Sequence, residues 1–456
     1  MTTPTSSRSN GAVLGAVMRP LNSLVEKLIP SALVFAIALT FIVAILALIF
    51  TDAGPVQVVE EWGIGLAGLL AFITQMALIL FLGYILANTG PVRRLLRALA
   101  KVPQTALQAY LFVFLVAAAA SLITWGLGLV VGGLLAREVA HVLGSRGVTV
   151  HFPMLVASGF SGFVVWHMGY SASGPLTAAT PDSFVAEQLG APLPIGETIF
   201  SGWNMIACLV TILVVAGALC LVAPRREETL VPLTVDAREA DVPVEDEVVT
   251  PADRVDASRI PTLLLGLMLV AYLVIHFSGG GNLTLDIVNW SFLALIMLLV
   301  RSPFELIALT KQAASNVGEI LLQFPLYAGI LGIMAGTGLM TVISEAFVAI
   351  STEHTFALLA FLSAGLVNFF VPSGGGQIAV QAPILLEAAE SLGTDPAVAI
   401  MAVAYGDQWT NMIQPFWALP LLAIAGLKMR DILSYTSVVL IASGLVFGAT
   451  LVLISL

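Results

Sequence analysis

One carboxylate in this chain stands where a carboxylate is expensive. Asp407, in "AYGDQWTNMIQP", interrupts an apolar stretch, and an acid inside a membrane helix costs about 2.5–3.5 kcal/mol on insertion scales. Two readings fit it: a group that carries a coupling proton or cation together with Gln408, or a carboxylate tied to nearby main chain and to Gln408 and Asn411. His167, in "VWHMG", is the second titratable group so placed. It is able to hydrogen-bond a ligand or carry a proton, or to serve structure alone.

Around these two lie polar and helix-breaking residues in four short stretches. "LITWGLG" offers Thr124, Trp125 and Gly126, and "VVWHMGYSASGP" offers Trp166, His167, Ser171 and Ser173. "LVNFFVPSGGGQ" offers Asn368, Ser373, Gly374, Gly375, Gly376 and Gln377, while Trp409, Asn411 and Gln414 flank Asp407. Hydroxyls and amides of this kind line a ligand site or hold helices together. Pro372 ends an incoming helix, and the helix restarting near Gln377 exposes N–H groups and a partial positive charge. Such a start attracts anions. No Lys or Arg is placed in the mid-membrane segments. A small monocarboxylate held by N–H groups and hydroxyls, with Trp125, Trp166 and Trp409 around its tail, suits this set better than a multiply charged anion. Trp417 reads as helix packing.

"GFSG", Gly159 to Gly162, has the Gly-x-Ser-Gly form of intramembrane serine proteases. Those need a histidine on a separate helix at nucleophile depth. His167 is on the same helix, His276 near a helix end and His354 in a loop, so the protease is a remote alternative.

The elements that position these residues follow from composition. Hydrophobic residues make up 59% of 456 and charged residues 10%, against roughly 25% charged in soluble proteins. Apolar runs long enough for a ~30 Å hydrocarbon core make an all-α polytopic membrane protein, with spans expected at about 31–50, 63–88, 153–180, 198–222, 260–278, 284–300, 316–338, 397–426 and 432–455. The first lacks a clear cleavage site and reads as a retained helix. Regions 104–143 and 355–391 are each split by a Gly-rich centre, as re-entrant hairpins would be. Cys208 and Cys220 share one expected helix, about 18 Å apart, and cannot pair there.

If both split regions return to their own side, all 18 Lys and Arg fall on one side, which the positive-inside rule makes cytoplasmic. The N-terminus is then cytoplasmic and the C-terminus periplasmic. Much of the net charge of −10 lies in the polar loop 223–259, which reads as a solvated linker and carries no signal for nucleic acid. "RRLLRALAKV" reads as an interfacial amphipathic helix.

The halves on either side of that linker echo each other. Gln75 stands 15 residues before Gly90 and Gln323 the same distance before Gly338, an offset of 248. A split region follows in each half, then a broken helix from Pro153 or Pro396, an offset of 243. Inverted-topology repeats with discontinuous helices are a pattern of secondary transporters. The expected parts are a segment 1–30, a first repeat 31–222, a connecting helix 260–278 and a second repeat 279–456.

The blocks "TWGLGLVVGGLLAREV", "VPSGGGQIAVQAP" and "AYGDQWTNMIQPFWALPLLAIAGL" closely resemble the bacterial short-chain fatty acid transporters of the acetoacetate/butyrate permease type. The likeness covers nearly the whole chain. It implies uptake of short-chain fatty acids across the bacterial inner membrane, elevator-type motion and a homodimer. By carry-over the hairpin tips are Thr124 to Gly128 and Pro372 to Gln377, and the unwound segments Trp166 to Pro175 and Tyr405 to Pro415. The function expected is a carrier coupled to H⁺ or Na⁺, with no other cofactor and no enzymatic activity. Rival readings are a carrier of another organic anion such as lactate or a dicarboxylate, a cation antiporter, and a passive channel.

Overall fold

The computed structural model describes residues 32–68, 70–181, 183–224, 230–233, 250–281, 285–314, 317–370 and 374–456. The N-terminal segment, Asp182, most of the acidic linker and the tip residues Val371, Pro372 and Ser373 lie outside the described residues.

No strand occurs among the described residues. Before the linker come α1 (Ala32–Phe50), α2 (Pro55–Gly68), α3 (Leu70–Asn88), α4 (Gly90–Ala100), α5 (Ala106–Ile123), α6 (Trp125–Ser145), α7 (Phe152–Ser161), α8 (Ser173–Ala179), α9 (Phe184–Leu189) and α10 (Gly202–Val222). After the linker come α11 (Pro251–Asp256), α12 (Ile260–Ser278), α13 (Leu285–Leu299), α14 (Pro303–Ala314), α15 (Gly318–Gly336), α16 (Leu339–Val348), α17 (Phe356–Phe370) and α18 (Gly374–Leu392). The chain closes with α19 (Pro396–Thr410), α20 (Pro415–Ala425) and α21 (Met429–Ile454).

Among the described residues seven helices are long and apolar enough to cross a membrane, or up to nine if each bent pair is one span. The count near nine expected from sequence is met in a different way. The arms of the first split region, α5 and α6, are themselves 18 and 21 residues long, whereas α13, α17 and α20 are shorter apolar helices. The helix expected from residue 63 begins at Pro55 and includes Glu60 and Glu61. "RRLLRALA" does form a helix, α4, with only Leu96 and Ala100 buried.

Helix starts carry recognisable caps. Thr105 and Ser201 accept main-chain N–H bonds at the starts of α5 and α10, and prolines open α7, α19 and α20. Glycines bring the helices close. A Cβ on Gly332 of α15 would lie 2.7 Å from the Cα of Gly65 in α2, and one on Gly132 of α6 would lie 2.9 Å from the carbonyl oxygen of Gly159 in α7. Small residues permit such approach between membrane helices.

A short piece of the linker, residues 230–233, is seated on the entry to α7. The Val231 N–H donates to His151 Nδ1 (3.0 Å), and the Phe152 N–H donates to the Val231 carbonyl (2.8 Å). The His151 N–H donates to the Tyr110 hydroxyl (3.0 Å), and its ring meets Tyr435 edge-on. Nδ1 accepts a bond only while it carries no proton, and burial pushes the His151 pKa down to about 4 from its ordinary 6.5. The unfolded form therefore binds more protons below about pH 6.5, so the stability of this contact is full above that value and is lost as pH falls toward 4. Hydrogen exchange at Val231 is expected to be slow at pH 7 and to lose its protection at pH 4 after correction for intrinsic rates. His151→Phe should lack that protection at both.

Candidate functional site

Two broken helices meet at the centre of the fold. The first runs as α7, tightens into a 3₁₀ turn over Gly162–Met168, and unwinds before α8 begins at Ser173. Gly162 and Gly169 press against α5: a Cβ on Gly162 would lie 2.5 Å from the Ala118 nitrogen, and one on Gly169 would strike the Leu122 main chain. The freed main chain is bonded from outside. Tyr170 N–H donates to the Leu122 carbonyl (2.8 Å), and Asn204 Nδ2 donates to the Met168 carbonyl (3.2 Å). The second break follows α19, with a 3₁₀ turn over Asn411–Ile413. Gln414 caps the restart: its Oε1 accepts from the Phe416 N–H (2.8 Å), and its Nε2 donates to the Phe369 carbonyl (3.0 Å).

The two split regions reach these breaks. Trp125 N–H, at the start of α6, donates to Ser171 Oγ (3.1 Å). At the start of α18, a Cβ on Gly374 would lie 2.9 Å from Ser173 Oγ and 3.1 Å from His167 Nε2. The start of α18 therefore fits against the unwound segment before α8 because Gly374 has no side chain.

His167 and Asp407 form a pair, 0% and 1% exposed. His167 Nδ1 lies 3.0 Å from the Ala404 carbonyl and 3.1 Å from Asp407 Oδ2, and its main-chain N–H donates to Gln408 Oε1 (2.9 Å). Asn368 Nδ2 sits among three oxygens: the Asp407 carbonyl, Thr410 Oγ1 (2.9 Å) and Asn411 Oδ1 (2.7 Å). Gln377 Nε2 reaches the Ala364 carbonyl (2.8 Å) and Gln381 Oε1 (2.7 Å), and Gln381 continues to Ser344 and Ser363. Several buried polar atoms have no hydrogen-bond partner among the described residues. They are Trp166 Nε1, His167 Nε2, Gln408 Nε2, Asn411 Nδ2, Asn368 Oδ1, Gln377 Oε1 and the Asp407 carboxylate oxygens. Buried groups left this way mark a place for a ligand or water.

Beside the pair is a cluster of rings. Phe163 stacks on Trp166 with centroids 5.5 Å apart, Trp125 meets Trp166 at 6.5 Å and Trp417 at 5.1 Å, and Trp417 lies 5.4 Å from Phe163. Trp409 is not brought here. Its Nε1 donates to the Leu440 carbonyl (2.7 Å), and its ring covers Gly365 and Gly444. The expectation for the two tryptophans is thus exchanged: Trp417 joins the cluster, and Trp409 packs α19 between α17 and α21.

Of the other expected residues, Thr124 is buried between α5 and α6, Ile79 covers Gly126, Gly375 is exposed and Gly376 half-buried. Ser373 lies outside the described residues. Ser161 donates to the Ala157 carbonyl of its own helix (2.6 Å) and has no histidine bonded to it among the described residues. Sequence reasoning missed Asn204, Gln381 and Thr410. Asn204 carried a signal, being a lone amide in the apolar run of α10. Gln381 carried one too, standing four residues after Gln377 on one helix face.

The family model described as short chain fatty acid transporter matches residues 13–454. The chain belongs to this family. A protein of Escherichia coli K12, provisionally named a short-chain fatty acid transporter, is 40% identical over 96% of this chain and 100% of its own length. A protein of Haemophilus influenzae with the same provisional name is 36% identical over 95% of this chain and 98% of its own. Among solved structures, the YdaH transporter of Alcanivorax borkumensis covers 92% of this chain and 98% of its own at 15% identity and TM-score 0.44. Neisseria gonorrhoeae MtrF, described among antimetabolite efflux pumps, covers 95% and 97% at 19% identity and TM-score 0.43. The family is one of transporters, and the chain is a multi-pass membrane transporter rather than an enzyme.

The packing at Gly374 gives a sharp test of the site. Gly374→Ala would place a methyl group against Ser173 Oγ and His167 Nε2. Transport is expected to fall at least about tenfold, the equivalent of ~1.4 kcal/mol, while yield and thermal stability in detergent stay near those of the parent protein. Transport measured in proteoliposomes at the parent rate would show that nothing needs the space beside His167.

Proposed function

We propose that this protein is a secondary active carrier of short-chain monocarboxylates such as butyrate and acetoacetate, driven by H⁺ or Na⁺ across the bacterial inner membrane. The observation that carries this reading is the set of buried N–H donors without partners, Trp166 Nε1, Gln408 Nε2 and Asn411 Nδ2, grouped with His167 on the two breaks. A carboxylate supplies the acceptor oxygens that such donors lack. The ring cluster of Trp125, Trp166, Trp417 and Phe163 beside them suits an acyl tail of a few carbons. The provisional names of the Escherichia coli and Haemophilus influenzae relatives agree with that substrate class.

Within this reading the two halves are inverted repeats, 31–222 and 279–456, whose hairpins 104–143 and 355–391 bring their tips to the site. The N-terminus is cytoplasmic and the C-terminus periplasmic, in keeping with the distribution of Lys and Arg. A homodimer moving its sites by an elevator motion follows from the family resemblance. Asp407 and Gln408 serve the coupling ion.

Counterflow separates this reading from its rivals. Proteoliposomes loaded with unlabelled butyrate, at equal pH on both sides, are expected to take up labelled butyrate faster than protein-free vesicles that control for diffusion of the free acid. Acetoacetate should compete and succinate should not. No acceleration over protein-free vesicles would overturn the carrier. Competition by succinate alone would favour a dicarboxylate carrier. In the same assay Trp417→Ala is expected to weaken butyrate about tenfold, ~1.4 kcal/mol, and to weaken hexanoate less, because removal of the indole deepens the tail side of the site.

A further inference from the structure

We propose that the coupling ion is a proton, carried by the His167–Asp407 pair, and that His167 Nε2 gains it and then donates to the substrate carboxylate. The proposal rests on the carrier reading above. It begins with the tautomer. The Ala404 carbonyl can only accept, so His167 Nδ1, 3.0 Å away, bears a hydrogen. The ring nitrogen left to titrate is Nε2. That atom has no partner among the described residues and faces Gly374 at the start of α18, beside Ser173 Oγ. It therefore faces the junction between the start of α18 and the unwound segment that precedes α8.

Charge accounting decides what a carboxylate would meet there. The proposed cycle takes Asp407 as ionised throughout: with a neutral imidazole the pair then carries one negative charge, and Nε2 presents a lone pair. A substrate carboxylate approaching it meets a lone pair and a second anion. When one proton from water adds to Nε2, the pair becomes imidazolium and carboxylate, neutral together, and Nε2–H offers a charge-assisted bond. Each event then favours the other, so anion and proton bind as linked ligands. On the far side, loss of the proton from Nε2 restores the lone pair and releases the anion. Asp407 acts as a positioning residue: Oδ2, 3.1 Å from Nδ1, is placed to stabilise the imidazolium.

Other ionisable groups on the surrounding elements are engaged elsewhere or exposed. Arg137 of α6 donates to the Ile424 carbonyl, Glu138 faces Arg97, and His141 is exposed. Glu387 and Glu390 of α18 and Arg430 of α21 are exposed, with Asp431 beside Arg430. The Tyr405 hydroxyl donates to Asn204, Tyr110 accepts from His151, and Tyr435 lies against the His151 ring. Cys208 of α10 is buried and Cys220 exposed. On α7, α8 and α17 there is no ionisable side chain. Asn368 Oδ1 and Gln377 Oε1 are also without partners among the described residues, so sodium is the competing outcome of the test.

The test is calorimetric titration of the purified full chain with butyrate, in two buffers of different protonation enthalpy, repeated in sodium and in potassium salts. At about pH 7.5 butyrate is ionised, and the parent protein is expected to take up about one proton per butyrate bound, equally in both salts. His167→Gln keeps an N–H donor near the position of Nε2 and is expected to bind butyrate with proton uptake near zero. Asp407→Asn is expected to lose the proton uptake as well, with affinity lowered about tenfold (~1.4 kcal/mol). Butyrate binding without proton uptake by the parent protein, an absolute need for sodium, or an unchanged proton count in both variants would overturn the proposal. The parent measurement decides even where a variant fails to fold. Failure of the parent protein to bind butyrate at all would remove the carrier reading itself, which counterflow reports separately.

Discussion

Main-chain groups freed by a broken helix must find partners within the protein, because the core of a bilayer offers none. Both breaks here meet that requirement with side-chain amides and neighbouring main chain rather than with charges. Asn204 reaches across to the Met168 carbonyl, Gln414 to the Phe369 carbonyl and Gln377 to the Ala364 carbonyl, while Tyr170 pairs with Leu122 of α5. An amide offers both donor and acceptor and carries no net charge, so its burial costs far less than that of an ion. The same bonds fix the site, because Asn204 also receives the Tyr405 hydroxyl and ties the first break to α19 of the other half.

Such bonding works only if the helices come close, which is the task of the glycines. Gly406 of α19 lies under the Phe361 carbonyl and Ala364 of α17, Gly365 lies under Trp409, and Gly162 lies against Ala117 and Ala118. Each glycine inside a helix costs about 1 kcal/mol relative to alanine. The return is a main-chain approach that any Cβ would block, and at Gly374 it brings the start of α18 against Ser173 Oγ and His167 Nε2. Packing and site geometry therefore depend on the same residue type, which explains why breaks and glycines cluster together in the chain.

Much of this could be read from residue types, and the part that could not depends on direction. Asp407 and His167 announced themselves as ionisable groups in apolar runs, and the breaks as proline, glycine and amide clusters. The assignment of Trp409 to the ring cluster failed for a geometric reason. Two residues along a helix turn the chain by about 200°, so Trp409 points away from the side on which Asp407 meets His167. Trp417 lies beyond the 3₁₀ turn, and the redirection of α20 that brings it to Trp125 is set by the Gln414 cap and the packing around it. The seating of residues 230–233 on His151 has no local pattern at all, since it depends on one N–H and one carbonyl of a linker meeting a loop 80 residues away.

A carrier must release what it binds, and this bears on why the site would use a titratable histidine instead of a fixed cation. A Lys or Arg among these rings would attract a carboxylate in every state of the cycle, and beside Asp407 it would form a closed ion pair with little attraction left for an anion. A neutral imidazole offers no such attraction, and an imidazolium held by Asp407 does. On the proposed assignment the affinity of the site for anions is therefore conditional on one proton. It also favours one carboxylate, because a second would be pressed against the indole and phenyl faces of Trp125, Trp166, Trp417 and Phe163, with no cationic side chain among these four rings. Desolvating a second charge against those rings would cost several kcal/mol, which is the physical ground for selecting monocarboxylates over dicarboxylates.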